Sequence, residues 1–452
     1  MTTVPASGGG GGGDALARSD RLHPSPAERV ARRHATVASL RFILKIVRVN
    51  LLRRYPIALG LIALILLSAT SALPSVVDVG SGAPPLDADL VRPAGYTALA
   101  PLSNVLDALT FLTIDRAKAL LLVWVPALAL WGFLRSPPPA RSRRRRIIGA
   151  VLGAATVPML GVAAVLLPRP VPSLVVPDSA FTVIDYHAHT ERSHDGRKGW
   201  TARDLAEWHA AQGFGASYVT DHNILFTDDF TDPIPLLPGV EWSVYDQHVI
   251  ALGSVTLIDR AAFSRDTRSM LLLFAELHRH GAIGIASLPE YWRNHWGDLD
   301  AFVAAGVDGF EIVTCAPKAL AFPADDRVRV LRLAAKRDLL VVGASDNHGW
   351  GKVTCVWNLS SPSAHGYRSN RVIARPIALA QGDWEPWTAA YTQPWLMLRS
   401  LSWSERSSWI TWILLILIYR AVPRRAGDPR GLGILARSLS LKVLRLRRPP
   451  SS

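Results

Sequence analysis

The hydrophobic pattern divides the chain into two kinds of sequence. Residues 57–77 and 147–167 are runs of Ile, Leu, Val, Ala and small residues without a charge, and 119–134 is a shorter run of the same kind. A helix that crosses a bilayer needs roughly 20 apolar residues, so three spans are predicted here, with Lys118 able to snorkel at the end of the short one. A fourth apolar run, 409–422, is flanked by Trp395, Trp403, Trp409, Trp412 and Tyr419. This aromatic belt beside an all-round apolar helix favours a fourth span over a soluble amphipathic helix.

Between the third and fourth runs, 178–363, the pattern becomes that of a globular domain. Strand-length apolar segments (Phe181–Ile184, Ala216–Val219, His248–Leu252, Ala282–Ala286, Gly309–Val313, Leu339–Val342) alternate with helix-like periods over Arg203–Gln212, Thr267–Arg279 and Asp325–Arg337. Alternation of this kind predicts an α/β fold with a mainly parallel sheet. The other segments read as a disordered glycine-rich start (1–33, with Gly8–Gly13), a region 34–168 made of a basic amphipathic lead-in, ending at Arg54, and the first three spans, a linker and aromatic interface segment (364–408) and a basic tail (423–452).

Charge adds an orientation. The 452 residues carry a formal net charge of +14, but the cations gather beside the apolar runs, most densely at Arg135–Arg146 and in the tail. That placement argues against a nucleic-acid partner and for a lipid bilayer, with every dense basic segment cytoplasmic. The termini are then cytoplasmic and 178–363 is extracytoplasmic. Gly149 and Gly153 form a G-x-x-x-G that would let another helix approach. The two cysteines, Cys315 and Cys355, are too few for a disulfide framework; they read as small buried residues, or as a pair if the domain lies outside.

The candidate chemistry begins at Asp185–Gly196, D-Y-H-A-H-T-E-R-S-H-D-G. In a strand His187 and His189 share a face, and neutral imidazoles with carboxylates suit zinc-like metals. An H-x-H pair alone is a weak motif, also met on ordinary surfaces, but more candidate ligands recur at later strand ends. T-D-H contains His222, G-V-E contains Glu241, His248 opens H-V-I-A-L-G, and S-D-N-H contains Asp346 and His348. Ligand-type residues at successive strand ends can converge on one pocket.

As an ordered set these motifs resemble the polymerase and histidinol phosphatase (PHP) superfamily, over about Phe181–Ser360. The resemblance implies a distorted (β/α)7 barrel carrying two or three divalent metals, and hydrolysis of a phosphate mono- or diester by metal-activated water. Carried over by position, it puts His187, His189, Glu241 and Asp346 on one metal, with Glu241 bridging to a second that His248 also binds. Asp195 (less favoured, His194), His222 and His348 would hold a third. Asp346, Glu241 and His222 take the catalytic roles, and the nearby cations Arg192, Arg197, Lys198 and Arg293 are candidates for substrate phosphate. The donor set does not choose among Zn, Mn and Fe. One departure from the family pattern is Leu288, which stands where a histidine is usual and cannot ligate. Two firmly held metals are therefore expected, unless Glu290 or His295 supplies the missing donor. The reading that follows is a membrane-anchored phosphoesterase acting on a phosphorylated small molecule or lipid headgroup. The alternative is a degenerate PHP domain serving as a non-catalytic sensor or scaffold.

Overall fold

The computed structural model describes residues 55–135, 143–244, 247–253, 256, 258–259, 263, 267–290, 298–318, 324–361, 374–379 and 388–421. The glycine-rich start, the lead-in up to residue 54, residues 136–142 of the arginine cluster, Arg293, His295 and the basic tail lie outside the described residues. The chain begins with α1 (Pro56–Ser68), a 3₁₀ turn (Ala69–Ser71), β1 (Val76–Asp78), β2 (Asp89–Val91), α2 (Ala94–Ala98), α3 (Ala100–Thr110), α4 (Ile114–Leu134) and α5 (Arg143–Leu166). Then come β3 (Ser173–Val175), β4 (Thr182–Asp185), α6 (Ala202–Ala211), β5 (Ala216–Val219), β6 (Leu236–Val244), β7 (Gln247–Leu252), α7 (Thr267–Arg279) and β8 (Ile283–Ser287). The rest is α8 (Leu299–Ala304), β9 (Gly309–Thr314), α9 (Ala324–Arg337), β10 (Leu340–Ala344), β11 (Val356–Ser360), β12 (Ala374–Leu379), α10 (Ala389–Arg399) and α11 (Trp403–Ala421).

One curled sheet has the strand order β1-β12-β11-β4-β5-β6-β7-β8-β9-β10. β7 runs against both neighbours, so β4, β5, β6, β8, β9 and β10 all point the same way and finish at one end of the sheet. Strands β5, β7 and β8 are buried along their whole length, as expected where helices cover the outer face of a mainly parallel sheet. The inner face is filled by Ile184, Tyr218, Ile250, Ile285 and Val342 from strands around the curl. Phe274 and Leu277 of α7 and Phe302 of α8 pack outside against Phe310 and Ile312 of β9. Each such fully buried side chain is worth about 1.5–3 kcal/mol. Helix α6 starts at a capping box between Thr201 and Asp204, which satisfies amides that the first turn leaves open.

The curl is an incomplete barrel. β10 returns to β11 and β4, but among the described residues the seam carries an isolated bridge, Ala188 with Asn347, in place of a ladder. Asn358 fills the gap. Its Nδ2 donates to the carbonyls of Ile184 (2.9 Å) and Gly343 (2.8 Å), and its Oδ1 accepts from Gly343 N at 2.8 Å. Gly343 is required by this approach, because a Cβ there would lie 2.3 Å from Val356 Cγ2.

Helices α4 and α5 are long and apolar enough to cross a membrane. They pack closely through small residues: a Cβ on Gly132 would meet the Gly149 carbonyl oxygen at 2.1 Å, and one on Gly153 would meet that of Leu128 at the same distance. The G-x-x-x-G therefore faces a helix of the same chain. In the 57–77 run, the apolar helix covers only Pro56–Ser71, and Val76–Asp78 pairs with β12 instead. The break falls where Ser71, Pro74 and Ser75 interrupt the helix and two β-branched valines find a ladder partner. Helix α11 starts at Trp403, before the 409–422 run, because Ser402 and Glu405 cap it reciprocally. Leu414, Leu415, Ile416 and Ile418 remain exposed along it.

Candidate metal centre

The site is assembled at the end of the sheet where the parallel strands finish. Beyond β4, the chain carrying His187 and His189 is held against the end of β10 by Asp346 N donating to the His187 carbonyl (2.9 Å) and His189 N to that of Asn347 (3.1 Å). Asp185 fixes the base of this junction, accepting from Ser345 N at 3.1 Å and from the buried His209 at 2.8 Å. Asp221, after β5, accepts from both the amide and hydroxyl of Thr190 at 2.7 Å and so pins the loop that carries Asp195. Asp346 itself sits at φ 46°, a left-handed conformation that aspartate tolerates better than most residues.

Around this frame the donors converge. The Nε2 atoms of His187 and His189 approach to 2.9 Å. Glu241, on β6, places Oε2 3.2 Å from each of them and 3.1 Å from His222 Nδ1, while its Oε1 touches His248 Nδ1. Asp346 Oδ1 lies 3.2 Å from His189 Nε2, 3.5 Å from His187 Nε2 and 3.4 Å from His348 Nδ1. Asp195 reaches His348 Nε2 at 3.2 Å and His222 Nε2 at 3.4 Å. Among the described residues these atoms form overlapping sets that could hold a metal: His187–His189–Asp346, His222–Glu241–His248, His189–His222–His348 and His194–Asp195–His222, with atoms of each set within 4.8 Å of one another. His194 itself is exposed.

The donor chemistry fits divalent cations. Both carboxylate oxygens of Glu241, Asp346 Oδ1, His222 Nδ1 and His348 Nε2 are buried and make no hydrogen bond. The imidazole nitrogens of His187, His189 and His222 lie 3.1–3.5 Å from these oxygens. Buried polar atoms are nearly always satisfied, and lone pairs aimed at shared points are what a bound ion would satisfy. Electrostatics agree. Burial works to lower the His187 pKa, yet the carboxylates of Glu241, Asp346 and Glu311 push it well above the ordinary histidine range. For His348 burial is again outweighed, by Asp346 and Asp195, and the pKa rises to about 9. Burial alone would raise the Glu241 and Asp346 carboxyls, but the surrounding imidazoles hold both below the usual range. Positive charge is thus demanded in the cluster, and protons can be exchanged for metal.

Other expected residues lie at the rim. Arg192 is paired with Asp228 at 2.6 Å. Arg197 stacks over Trp200 at 5.0 Å, its amide bonded to the His348 carbonyl. Lys198 is exposed. Leu288 is fully buried in the apolar core and contributes no donor. Glu290 stands close by, 3.4 Å from His248 Nδ1 and 3.7 Å from Lys318 Nζ.

Sequence reasoning missed the outer shell. Glu311, fully buried on β9, lies 2.9 Å from His187 Nδ1 and accepts from Ser287 Oγ at 2.8 Å. A carboxylate of this kind fixes the tautomer so that Nε2 offers its lone pair to the cluster. The available signal was one acidic residue inside the apolar run G-F-E-I-V-T. His209 likewise steadies Asp185 from α6.

No family model and no curated protein matches this chain. Among solved structures, it is similar to a putative metal-dependent phosphoesterase from Bifidobacterium adolescentis, with 21% identity over 37% of this chain and 88% of that one, at a TM-score of 0.28. PsfC from Pseudomonas syringae matches at 16% identity over 47% and 96% of the two chains, at a TM-score of 0.34. The lesion-specific endonuclease PfuEndoQ from Pyrococcus furiosus matches at 12% identity over 43% and 57%, at a TM-score of 0.29. The likeness to metal-binding phosphoesterase-like folds is distant, and it says nothing of this chain's substrate.

Proposed function

We propose that the chain is a membrane-anchored, metal-dependent phosphoesterase of the PHP type, its curled sheet a distorted (β/α)7 barrel. The observation that carries this reading is the set of buried Glu241, Asp346, His222 and His348 donor atoms left without hydrogen bonds amid the other imidazoles. Divalent ions held there would acidify a coordinated water and neutralise charge on the phosphoryl oxygens. Asp346 and Glu241 supply the anionic donors, His187, His189, His222, His248 and His348 the neutral ones, and Glu311 keeps His187 turned inward. Arg197 and Lys198 offer cations to the phosphate at the rim. Four spans, with both termini cytoplasmic and the barrel outside, fit the basic flanks and a Cys315–Cys355 disulfide, which suits an oxidising compartment.

The test is turnover of p-nitrophenyl phosphate and bis-p-nitrophenyl phosphate by the full chain in detergent with Zn²⁺, Mn²⁺ or Fe²⁺. Asp346→Asn keeps the side-chain shape, removes an anionic ligand and should cut kcat by orders of magnitude while changing KM far less. Near-normal turnover in Asp346→Asn overturns the assignment. The buried Leu288, which offers no donor, favours the non-catalytic sensor as the second reading, and a wild type that binds metal but cleaves neither these esters nor a lipid phosphoester would support it.

A further inference from the structure

The end of the sheet that carries the metal ligands is also the end to which the membrane helices attach. At the end of β9, the Pro317 carbonyl accepts from the amide of Ile114, the first residue of α4. Two residues earlier, Cys315 is disulfide-bonded to Cys355, just before β11. β1 leaves α1 and its 3₁₀ turn to enter the sheet at this end, Val76 pairing with Leu379, the last residue of β12, from which the chain leads on to α10. A cavity of about 110 Å³ lies between Val353 and Thr354, which follow His348, and Tyr96, Asn104, Asp107 and Arg116 of the helical layer. Lys352, on the same loop, has its pKa lowered first by burial and then by Arg197 at the rim and Arg169 beyond α5, so both cations lie within its electrostatic reach. Arg169 is bonded to the Ala164 carbonyl at the end of α5. The rim itself is amphipathic. Trp350, two residues past His348, is 48% exposed and Ile224, two past His222, 38% exposed; the exposed Arg192 lies over the Phe226 ring at 5.8 Å, and the exposed Lys198 follows Arg197, whose amide bonds the His348 carbonyl. Exposed tryptophan with nearby cations is the composition of a membrane–water interface.

From this geometry we propose that the mouth of the metal centre opens onto the membrane surface and takes a phosphoester head group carried by a bilayer lipid. The substrate rests on the phosphoesterase reading above; the orientation does not. If α4 and α5 span, their outer ends and the ligand-bearing strand ends share one level, so a lipid head group meets the metals without leaving its leaflet. Trp350 and Ile224 would enter the interface beside it.

The orientation is tested with the full chain in phosphatidylcholine nanodiscs, labelled with a fluorophore at Ile224→Cys or, at the opposite end of the sheet, Arg337→Cys. Lipids spin-labelled at the head group should quench position 224 severalfold more than 337; equal quenching, or the reverse, overturns the proposal. The substrate is tested with dioleoyl phosphatidate and phosphatidylglycerol in the nanodisc against p-nitrophenyl phosphate and bis-p-nitrophenyl phosphate in solution. Trp350→Ser should lower kcat/KM on the bilayer lipid roughly tenfold, the scale expected when one large apolar contact is lost, and leave the soluble esters unchanged. Equal loss on both, or a preference for the soluble esters in the wild type, overturns lipid presentation. Failure of all four substrates with position 224 still quenched overturns the hydrolytic reading and the lipid substrate, and leaves the orientation established.

Discussion

Glu311→Gln isolates the electrostatic contribution of a residue that touches no metal in the proposed centre. Glu311 lies within hydrogen-bond distance of His187 Nδ1 (2.9 Å) and accepts from Ser287 Oγ (2.8 Å), and it is fully buried. Glutamine has the same shape. Its oxygen can still face His187 while its NH₂ donates to the Ser287 hydroxyl, so the variant loses charge and keeps the contacts. A hydrogen bond to an ionised acceptor is about twice as strong as a neutral one, and outer-shell substitutions of this kind typically cost about 10–100-fold in metal affinity. That corresponds to about 1.4–2.7 kcal/mol. Burial acts first to raise the Glu311 pKa and the neighbouring His187 opposes it, so the ionised carboxylate depends on positive charge at His187. A metal bound at Nε2 would supply such charge, and removing the carboxylate's charge should therefore weaken metal binding. The assay is competition for Zn²⁺ against a chromophoric chelator, with the thermal unfolding midpoint of the metal-free protein as the fold control. An unchanged affinity in a folded Glu311→Gln would refute the orienting role, and Glu311→Leu, which strands His187 Nδ1 and Ser287 Oγ, should do worse on both measurements.

Three further outcomes are expected. With its pKa raised from near 6.5 to about 9, His348 stabilises the metal-free fold fully below about pH 6.5 and loses that contribution as pH rises through about 9; Asp346, held low, contributes above the ordinary carboxylate range and loses it in acid. Metal needs the unprotonated imidazoles, so the metal-induced rise in melting temperature should grow with pH across that window and calorimetry should record proton release, whereas a pH-independent increment would remove His348 from the ligand set. The Cys315–Cys355 bridge closes a separation of 40 residues, and Cys315→Ser with Cys355→Ser should lose about 2–4 kcal/mol; free thiols in the unfolded, unreduced wild type would show that the bridge does not form in the cell. Reporter fusions after Arg146 and Ser452 should read cytoplasmic and one within Asp259–Arg268 external, the reverse pattern refuting the proposed topology.

The sequence by itself determined what depends on local pattern and on residue type. Uniform apolar runs specified α4 and α5 as helices long and apolar enough to cross a membrane. Short apolar segments specified β4, β5, β7, β8, β9 and β10, and the helical period specified α6, α7 and α9 within a residue or so. The candidate ligands were legible because few residue types can donate to a metal and they recur at strand ends. Strand β6 was not legible, since Pro238 and Gly239 interrupt L-L-P-G-V-E-W-S-V and only pairing with β5 and β7 holds it extended. Nor was β1, whose valines belong by composition to the preceding apolar run and become strand only because β12 offers a free edge. The same limit hid Glu311 and His209. Each is one polar residue in an apolar setting, and its role exists only through a partner, His187 or Asp185, far away along the chain. Tertiary structure alone decided which end of the sheet meets the long apolar helix α4, because the bond between Ile114 and Pro317 and the bridge between Cys315 and Cys355 join segments whose separation in sequence carries no signal of contact.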